Sequence, residues 1–189
     1  MRRVGVFGAL LLATCAGCVS SPGPVESTPS ENPQKAAAER SYRAGLELAS
    51  EGRHSQALIC FQDVVAEDPL RADAHYRAGL CHYELGDYEH EAAEYRKSLA
   101  ISPNQAPVWR ALALAQVSVD DLEGAREAYL KANQLEPSAR VLYNLALVED
   151  DLGRRDEATR LLRLCLEEGE AQVRQRARQS LRAWGVSGS

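Results

Sequence analysis

Hydrophobic positions along this chain follow a helical spacing from about residue 38 to residue 170, and they fall into pairs of blocks separated by short polar turns. Residues in these turns return at an interval of 34, namely Pro69, Pro103, Pro137 and Gly52, Gly86. A fixed period of this size indicates stacked supersecondary units. Because each period contains two helical blocks, separated by a glycine or by Asp120, we predict that each unit is a helical hairpin.

Small residues recur at the two places in each hairpin where the helices have to approach each other closely. They are Gly45, Gly79, Ala113 and Ala146 on the first helices and Ala57, Ala125 and Ala158 on the second helices. A large residue follows four positions after the slot on the second helix, namely Phe61, Tyr95, Tyr129 and Leu162. Since one hairpin cannot bury its apolar face alone, we expect the hairpins to be stabilised by stacking on each other.

This pattern resembles the tetratricopeptide repeat family, in which a bulky residue, a Leu-Gly pair, a small Ala, an aromatic residue and a closing Pro follow in order. The third hairpin, for example, offers Trp109, Leu112-Ala113, Ala125, Tyr129 and Pro137. The resemblance implies an all-α fold, a right-handed α-solenoid of about four hairpins within residues 33–170. The repeats would occupy about 38–71, 72–105, 106–138 and 139–170, and the fourth lacks the closing Pro.

One position departs from the pattern, because the small slot on the second helix of the second hairpin falls on Glu91. Burying an unpaired carboxylate would cost several kcal/mol. Either the turn after Gly86 contains an extra residue, so that Ala92 takes the slot, or Glu91 reaches solvent along a tilted helix. Since Tyr95 keeps the aromatic phase, we favour the second alternative.

A last helix is predicted at 171–184, followed by a tail at 185–189. Val173, Ala177, Leu181 and Trp184 recur at helical spacing and would cover the fourth repeat. Terminal repeats need such a cap with a polar outer face. The other positions of this helix carry several arginines, which we interpret as a solvated face. The alternative is a basic patch that contacts an acidic partner or anionic lipid head groups.

The first residues have the layout of an export signal. Arg2 and Arg3 precede an apolar stretch at 4–13, and small residues precede Cys18. The apolar stretch is too short for a membrane-spanning helix. Because the layout ends on a cysteine, it resembles a bacterial lipoprotein signal. The resemblance implies a signal peptide at 1–17 and lipidation of Cys18 as the first residue of the mature chain.

Residues 18–32 would then form a lipid anchor and a tether rich in Pro, Ser and Thr, with too few apolar groups to pack. Val19 after the cysteine implies, by resemblance to lipoprotein sorting rules, the outer membrane facing the periplasm. Cys15, a departure from the usual Leu, could instead be the lipidated residue. A plain secretory signal and an uncleaved anchor are further alternatives. A redox pair of Cys15 with Cys18 is disfavoured, because an apolar leader does not lower a thiol pKa.

Composition and motifs argue against nucleic-acid binding and against catalysis. The net charge of −5 disfavours a dominant nucleic-acid role. No HExxH, no Cys-x-x-Cys pair beyond the leader and no Gly-rich phosphate loop appears, so we predict no enzyme activity, no cofactor and no metal. His75 and His82 would share a helical face beside Cys81, but metal binding there is disfavoured. Cys60 and Cys81 could be neighbours, which leaves a disulfide open.

The tetratricopeptide resemblance also implies a concave groove, lined by the second, fifth, ninth and twelfth residues of each repeat. The candidate residues are Tyr42, Leu46, Tyr76, Leu80, Tyr83, Arg110, Leu114, Val117, Tyr143 and Leu147. The Lys and Asn residues of family members that clamp a peptide carboxylate are missing here. An apolar and aromatic groove suits an amphipathic helix or an extended apolar segment of a protein partner. The alternative is that the leucines pack against neighbouring repeats.

We therefore expect a membrane-tethered scaffold that holds or helps assemble bacterial envelope proteins. Within that class the chain resembles the tetratricopeptide lipoproteins that escort secretin subunits in type IV pilus assembly, although those usually carry more repeats. A second hypothesis is a regulatory adaptor for an envelope protease or a cell-wall enzyme.

Overall fold

Residues 33–186 are described by the computed structural model, and within this range every regular element is an α-helix. The predictions for 1–17 and 18–32, including Cys18, and the last three residues of the tail lie outside the described residues. The helices are α1 (Pro33–Ser50), α2 (His54–Glu67), α3 (Ala72–Leu85), α4 (Tyr88–Ile101), α5 (Ala106–Ser118), α6 (Leu122–Leu135), α7 (Ala139–Asp151), α8 (Arg155–Glu168) and α9 (Ala171–Ala183).

The helices pack in the order in which they follow along the chain. The most extensive contacts join α1 to α2, α3 to α4, α5 to α6 and α7 to α8, and each of these hairpins also packs on the next. Helix α9 packs mainly on α8 and to a smaller extent on α7. The predicted all-α solenoid of four hairpins with a capping helix is confirmed. None of the described helices is long and apolar enough to cross a membrane.

The turn inside each hairpin needs a residue in the left-handed region of backbone space. Gly52, Gly86 and Gly153 have φ values of 75°, 75° and 76°, and Asp120 takes the same place with φ of 60°. Glycine adopts this conformation without a Cβ penalty, whereas a side chain there is strained. The shared conformation explains why the sequence period is visible in these four residues.

Close approach of the helices accounts for the small slots. A Cβ added at Gly45 would lie 2.8 Å from the ring of Phe61, and one added at Gly79 would lie 2.4 Å from the ring of Tyr95. Ala57 on the facing helix is completely buried, as are its counterparts in the third and fourth hairpins. One hydrophobic core runs from α4 to α9, and a smaller one joins α1 to α3.

The expectation for Glu91 is wrong. Glu91 does not reach solvent, since it is 2% exposed, and its neighbour Ala92 is equally buried. The turn after Gly86 contains no extra residue, because α2, α4 and α6 begin at intervals of 34. Burial raises the pKa of Glu91 to about 7, against a smaller opposing effect of its hydrogen bond with Tyr95. The hairpin therefore tolerates a carboxyl group in a slot that holds alanine elsewhere.

The capping helix ends one residue earlier than predicted. Val173, Ala177 and Leu181 are buried, as the helical spacing indicated. Trp184 follows the last helical residue and is half-buried, and the guanidinium carbon of Arg155 lies 4.5 Å from the centre of a Trp184 ring. The cap is thus held mainly by its aliphatic stripe, with Trp184 packing at its edge.

Candidate functional site

The predicted groove residues of the first repeat are largely occupied by contacts within the chain. Tyr42 packs edge-on against Phe61 with ring centroids 5.7 Å apart, and the guanidinium of Arg71 lies 4.0 Å above the Tyr42 ring. Burial is the main cause that raises the pKa of Tyr42. Arg71 also pairs with Glu39 at 3.1 Å, and Leu46 packs on the smaller core. Little of this surface is left for a ligand.

The second repeat is intermediate. Tyr76 is half-buried and lies 5.8 Å, between ring centroids, from Tyr95 of α4. Leu80 is also half-buried and packs against the larger core. Tyr83, one turn further along α3, is 51% exposed. The predicted leucine ladder therefore divides, because Leu46 and Leu80 are packing residues in part.

Exposed apolar side chains gather on the first helices of the second, third and fourth hairpins. Tyr83, Leu114, Val117 and Leu147 are exposed by 51%, 51%, 36% and 37%, and we call these four residues the apolar patch. Tyr83 and Val117 hold the twelfth position of successive repeats, and Leu114 and Leu147 hold the ninth. Residues at equal positions of stacked repeats lie on the same face of the solenoid. The apolar patch is the part of the predicted groove that is free to meet a partner.

Two predicted residues border this patch. Arg110 on α5 is half-buried, and it supplies a cation in the position that tyrosine holds in the other three repeats. Tyr143 on α7 is half-buried as well, and its hydroxyl lies 3.4 Å from the hydroxyl of Ser180 on the capping helix. Tyr143 therefore ties the last repeat to its cap.

A series of polar pairs at the hairpin turns was not predicted from the sequence. Each pair joins the end of a first helix to the residue that precedes the second helix. The pairs are His82 with Asp87, Gln116 with Asp121 and Glu149 with Arg154, at distances of 3.2, 2.7 and 3.5 Å. Superposing the repeats in the sequence would have shown this series, since His82, Gln116 and Glu149 share the eleventh position.

The second hairpin holds most of the histidine. His75 does not meet His82; its Nδ1 lies 2.7 Å from a carboxylate oxygen of Glu94, and its Nε2 lies 3.2 Å from the carbonyl oxygen of Pro69. His82 instead lies beside Asp87 and stacks on His90, with ring centroids 5.3 Å apart. The histidine pair considered from helical spacing is thus replaced by a different one across the turn.

The three cysteines of the described residues are free thiols. Cys81 and Cys165 are buried, and Cys60 is half-buried, so no disulfide joins Cys60 to Cys81. Burial raises the pKa of both Cys81 and Cys165 to about 11. These thiols are protonated at neutral pH, and they act as small packing groups rather than as nucleophiles.

Comparisons with known families agree with this architecture. Family models described as tetratricopeptide repeat match residues 42–106 and 139–168, which together make half of the chain. Two curated relatives match more distantly, among them superkiller complex protein 3 of Mus musculus, which is 24% identical over 119 residues. The match covers 61% of this chain but only 8% of that protein, and the second relative is covered to 10%.

Solved structures show the same fold. A crystal structure of MamA matches with a TM-score of 0.69 and 22% identity, over 76% of this chain and 83% of that one. The pilF protein of Pseudomonas aeruginosa matches with a TM-score of 0.66 and 23% identity, over 81% and 71%. A repeat domain of RPAP3 bound to an HSP90 peptide matches with a TM-score of 0.60 and 16% identity, over 62% and 94%. At these identities the likeness shows the fold alone.

Proposed function

Since the chain belongs to the tetratricopeptide repeat family, we propose that it is a non-catalytic scaffold that binds a protein partner through the apolar patch. The observation that carries this proposal is the exposure of Tyr83, Leu114, Val117 and Leu147 on three successive first helices. Clustered exposed apolar side chains are typical of interaction surfaces, whereas single ones are ordinary. A protein partner would remove this surface from water.

The chemistry of the patch defines the kind of partner. Aliphatic and aromatic side chains without a row of lysines suit an apolar helix face or an extended apolar segment. Arg110 at the border would pair with an acidic group of that segment and would steer its approach. The RPAP3 domain bound to an HSP90 peptide is an instance of a peptide held by this fold. It supports the mode of binding and leaves the identity of the partner open.

A matched pair of double variants tests the patch. Leu114→Asp with Leu147→Asp places charges on the patch, and because both residues are exposed we expect little loss of stability. Leu130→Asp with Leu135→Asp is the control, since these leucines of α6 are exposed to a similar degree, 42% and 41%. The protein is isolated from solubilised membranes, and bound partners are compared by quantitative mass spectrometry. Melting curves confirm that each variant is folded.

The patch variant should lose its specific partner while the α6 variant keeps it. Equal retention by both folded variants would refute the patch as the binding surface. Equal loss would show that any added surface charge disrupts the complex, and it would refute the assignment as well. Arg110→Glu, in addition, should slow association when the partner is known.

We also propose that the chain is lipid-anchored at Cys18 in a bacterial envelope, on the outer membrane and facing the periplasm. The proposal is supported by the basic start, the apolar stretch and the small residues before Cys18. Cys18→Ala should release the protein from the membrane fraction and abolish metabolic labelling with a fatty acid, whereas Cys15→Ala should do neither. Continued labelling of Cys18→Ala would contradict the assignment. The secretin-escort and regulatory-adaptor hypotheses stay predictions, which the identity of the partner would test.

A further inference from the structure

We propose that His82, Asp87 and His90 form a binding site for a divalent transition-metal ion at the turn between α3 and α4. Nδ1 of His82 lies 3.2 Å from Oδ2 of Asp87, and Nδ1 of His90 lies 2.7 Å from Oδ1 of Asp87. One ligand atom from each residue falls within 4.8 Å of the others. Two imidazole nitrogens and a carboxylate oxygen therefore already converge on a small volume.

An independent observation concerns the buried histidine. His82 is 9% exposed, and its Nδ1 has no hydrogen-bond partner, although it faces the carboxylate of Asp87. Buried polar atoms are nearly always satisfied, because leaving one unpaired costs about 1–3 kcal/mol. A metal ion between His82 and Asp87 would supply the missing partner.

The third hairpin shows that the fold itself does not require these ligands. At the same turn, Gln116 donates from Nε2 to Oδ2 of Asp121 over 2.7 Å, and the backbone N–H of Gly124 donates to Oδ1 over 3.1 Å. This closed arrangement leaves no room, since a Cβ on Gly124 would lie 2.0 Å from Nε2 of Gln116. The second hairpin has histidine at both corresponding positions, so two ring nitrogens replace the amide and the glycine around the same aspartate.

The ligand types define the class of metal. Imidazole suits Zn²⁺, Ni²⁺, Cu²⁺ and Co²⁺, and a single carboxylate is compatible with each of them. Zn²⁺ bound at about 2.0–2.1 Å by tetrahedral ligands would hold those ligand atoms about 3.4 Å apart. The observed separations require only a small movement, which exposed His90 can make. Metal binding displaces the proton shared by His90 and Asp87, and three protein ligands leave one position for water.

Zinc titration of the full chain in detergent tests the site, with a chromophoric chelator as competitor. We expect one tight equivalent of Zn²⁺, and His90→Ala and Asp87→Asn should each weaken it by about tenfold or more. His54→Ala is the matched control, because His54 starts the second helix of the first hairpin and lies outside the cluster. Its affinity for Zn²⁺ should equal that of the unchanged protein.

A second variant guards against misfolding and against binding by thiols. His82→Gln installs the residue of the third hairpin, which can still bond the aspartate but is not a ligand. Co²⁺ loading should give visible absorption bands without a thiolate charge-transfer band, and these bands should be lost in His82→Gln and in His90→Ala. The proposal is overturned if no saturable equivalent binds, or if exposed His90 can be replaced by Ala without loss of affinity. A thiolate band that persists in both variants would place the metal on the cysteines instead and would also overturn it.

Discussion

The buried carboxyl group of Glu91 leads to a prediction with a defined sign. Glu91→Gln keeps the size and shape of the side chain and removes its charge. Because burial raises the pKa of Glu91 from 4.5 to about 7, the ionised form is disfavoured in the folded protein. We therefore expect the variant to be more stable than the unchanged protein at neutral and alkaline pH, and nearly equal to it in acid.

The sign follows from proton binding. Between pH 4.5 and about 7 the folded state holds a proton that the unfolded chain has released, so the free energy of unfolding falls as the pH rises through this window. Below 4.5 both states are protonated, and Glu91 makes no contribution. A pKa moved from 4.5 to about 7 corresponds to a penalty of up to about 3 kcal/mol above that window.

Urea unfolding followed by circular dichroism gives the free energies, at pH about 4.5 and at pH about 8. The informative quantity is the difference between Glu91→Gln and the unchanged protein, since other groups titrate equally in both. Glu157→Gln is a control of opposite sign. A hydrogen bond from Arg160 lowers the pKa of Glu157, so its substitution should cost stability at high pH and little in acid.

A difference between Glu91→Gln and the unchanged protein that does not vary with pH would refute this reasoning. It would mean that the carboxyl group is solvated after all, or that it stays protonated throughout the tested range. A loss of stability at every pH would show instead that the hydrogen bond with Tyr95 outweighs the cost of burying the charge.

Two further predictions concern the backbone and the cap. Asp120→Gly relieves a non-glycine residue with φ of 60° and should raise the free energy of unfolding by about 1 kcal/mol in urea titration, whereas an unchanged value would show that the Asp120 side chain compensates for the strain. Leu181→Ala removes a fully buried side chain of α9 and should cost about 2–5 kcal/mol in the same assay, and a loss below that range would identify the last helix as a loosely attached tail.

The repeat architecture could be predicted from the sequence because its determinants are local. The residues with positive φ mark the hairpin turns, and Asp120 was identified as the separator of the third pair before its φ of 60° was known. Helical spacing and the small slots then define which faces meet. Each of these signals depends on residues within one hairpin, so one sequence is sufficient to find them.

Side-chain partners could not be predicted in the same way, because they depend on contacts between elements. Glu91 was expected to reach solvent, yet α4 holds it in the interior. His82 was compared with His75 on its own helix, whereas its neighbours Asp87 and His90 lie across the turn. The leucine ladder likewise divides into packed and exposed members, which identical positions in the repeat do not distinguish.

The second hairpin concentrates the polar groups that the other hairpins lack, and their partners separate structural from unexplained residues. Ser98 donates to the carbonyl oxygen of Ala72 over 2.7 Å, as Cys165 does to that of Ala139. His75 likewise meets the carbonyl oxygen of a preceding proline, as Trp109 does in the third hairpin.

His82 and Glu91 are different, because each is a buried side chain of α3 or α4 with one unpartnered atom. Repeat packing does not account for either atom, so each needs its own explanation. Protonation satisfies Glu91 at a pH near its pKa of about 7. A cation satisfies His82, and a ligand that binds only the folded state would stabilise the hairpin in which these unsatisfied groups are concentrated.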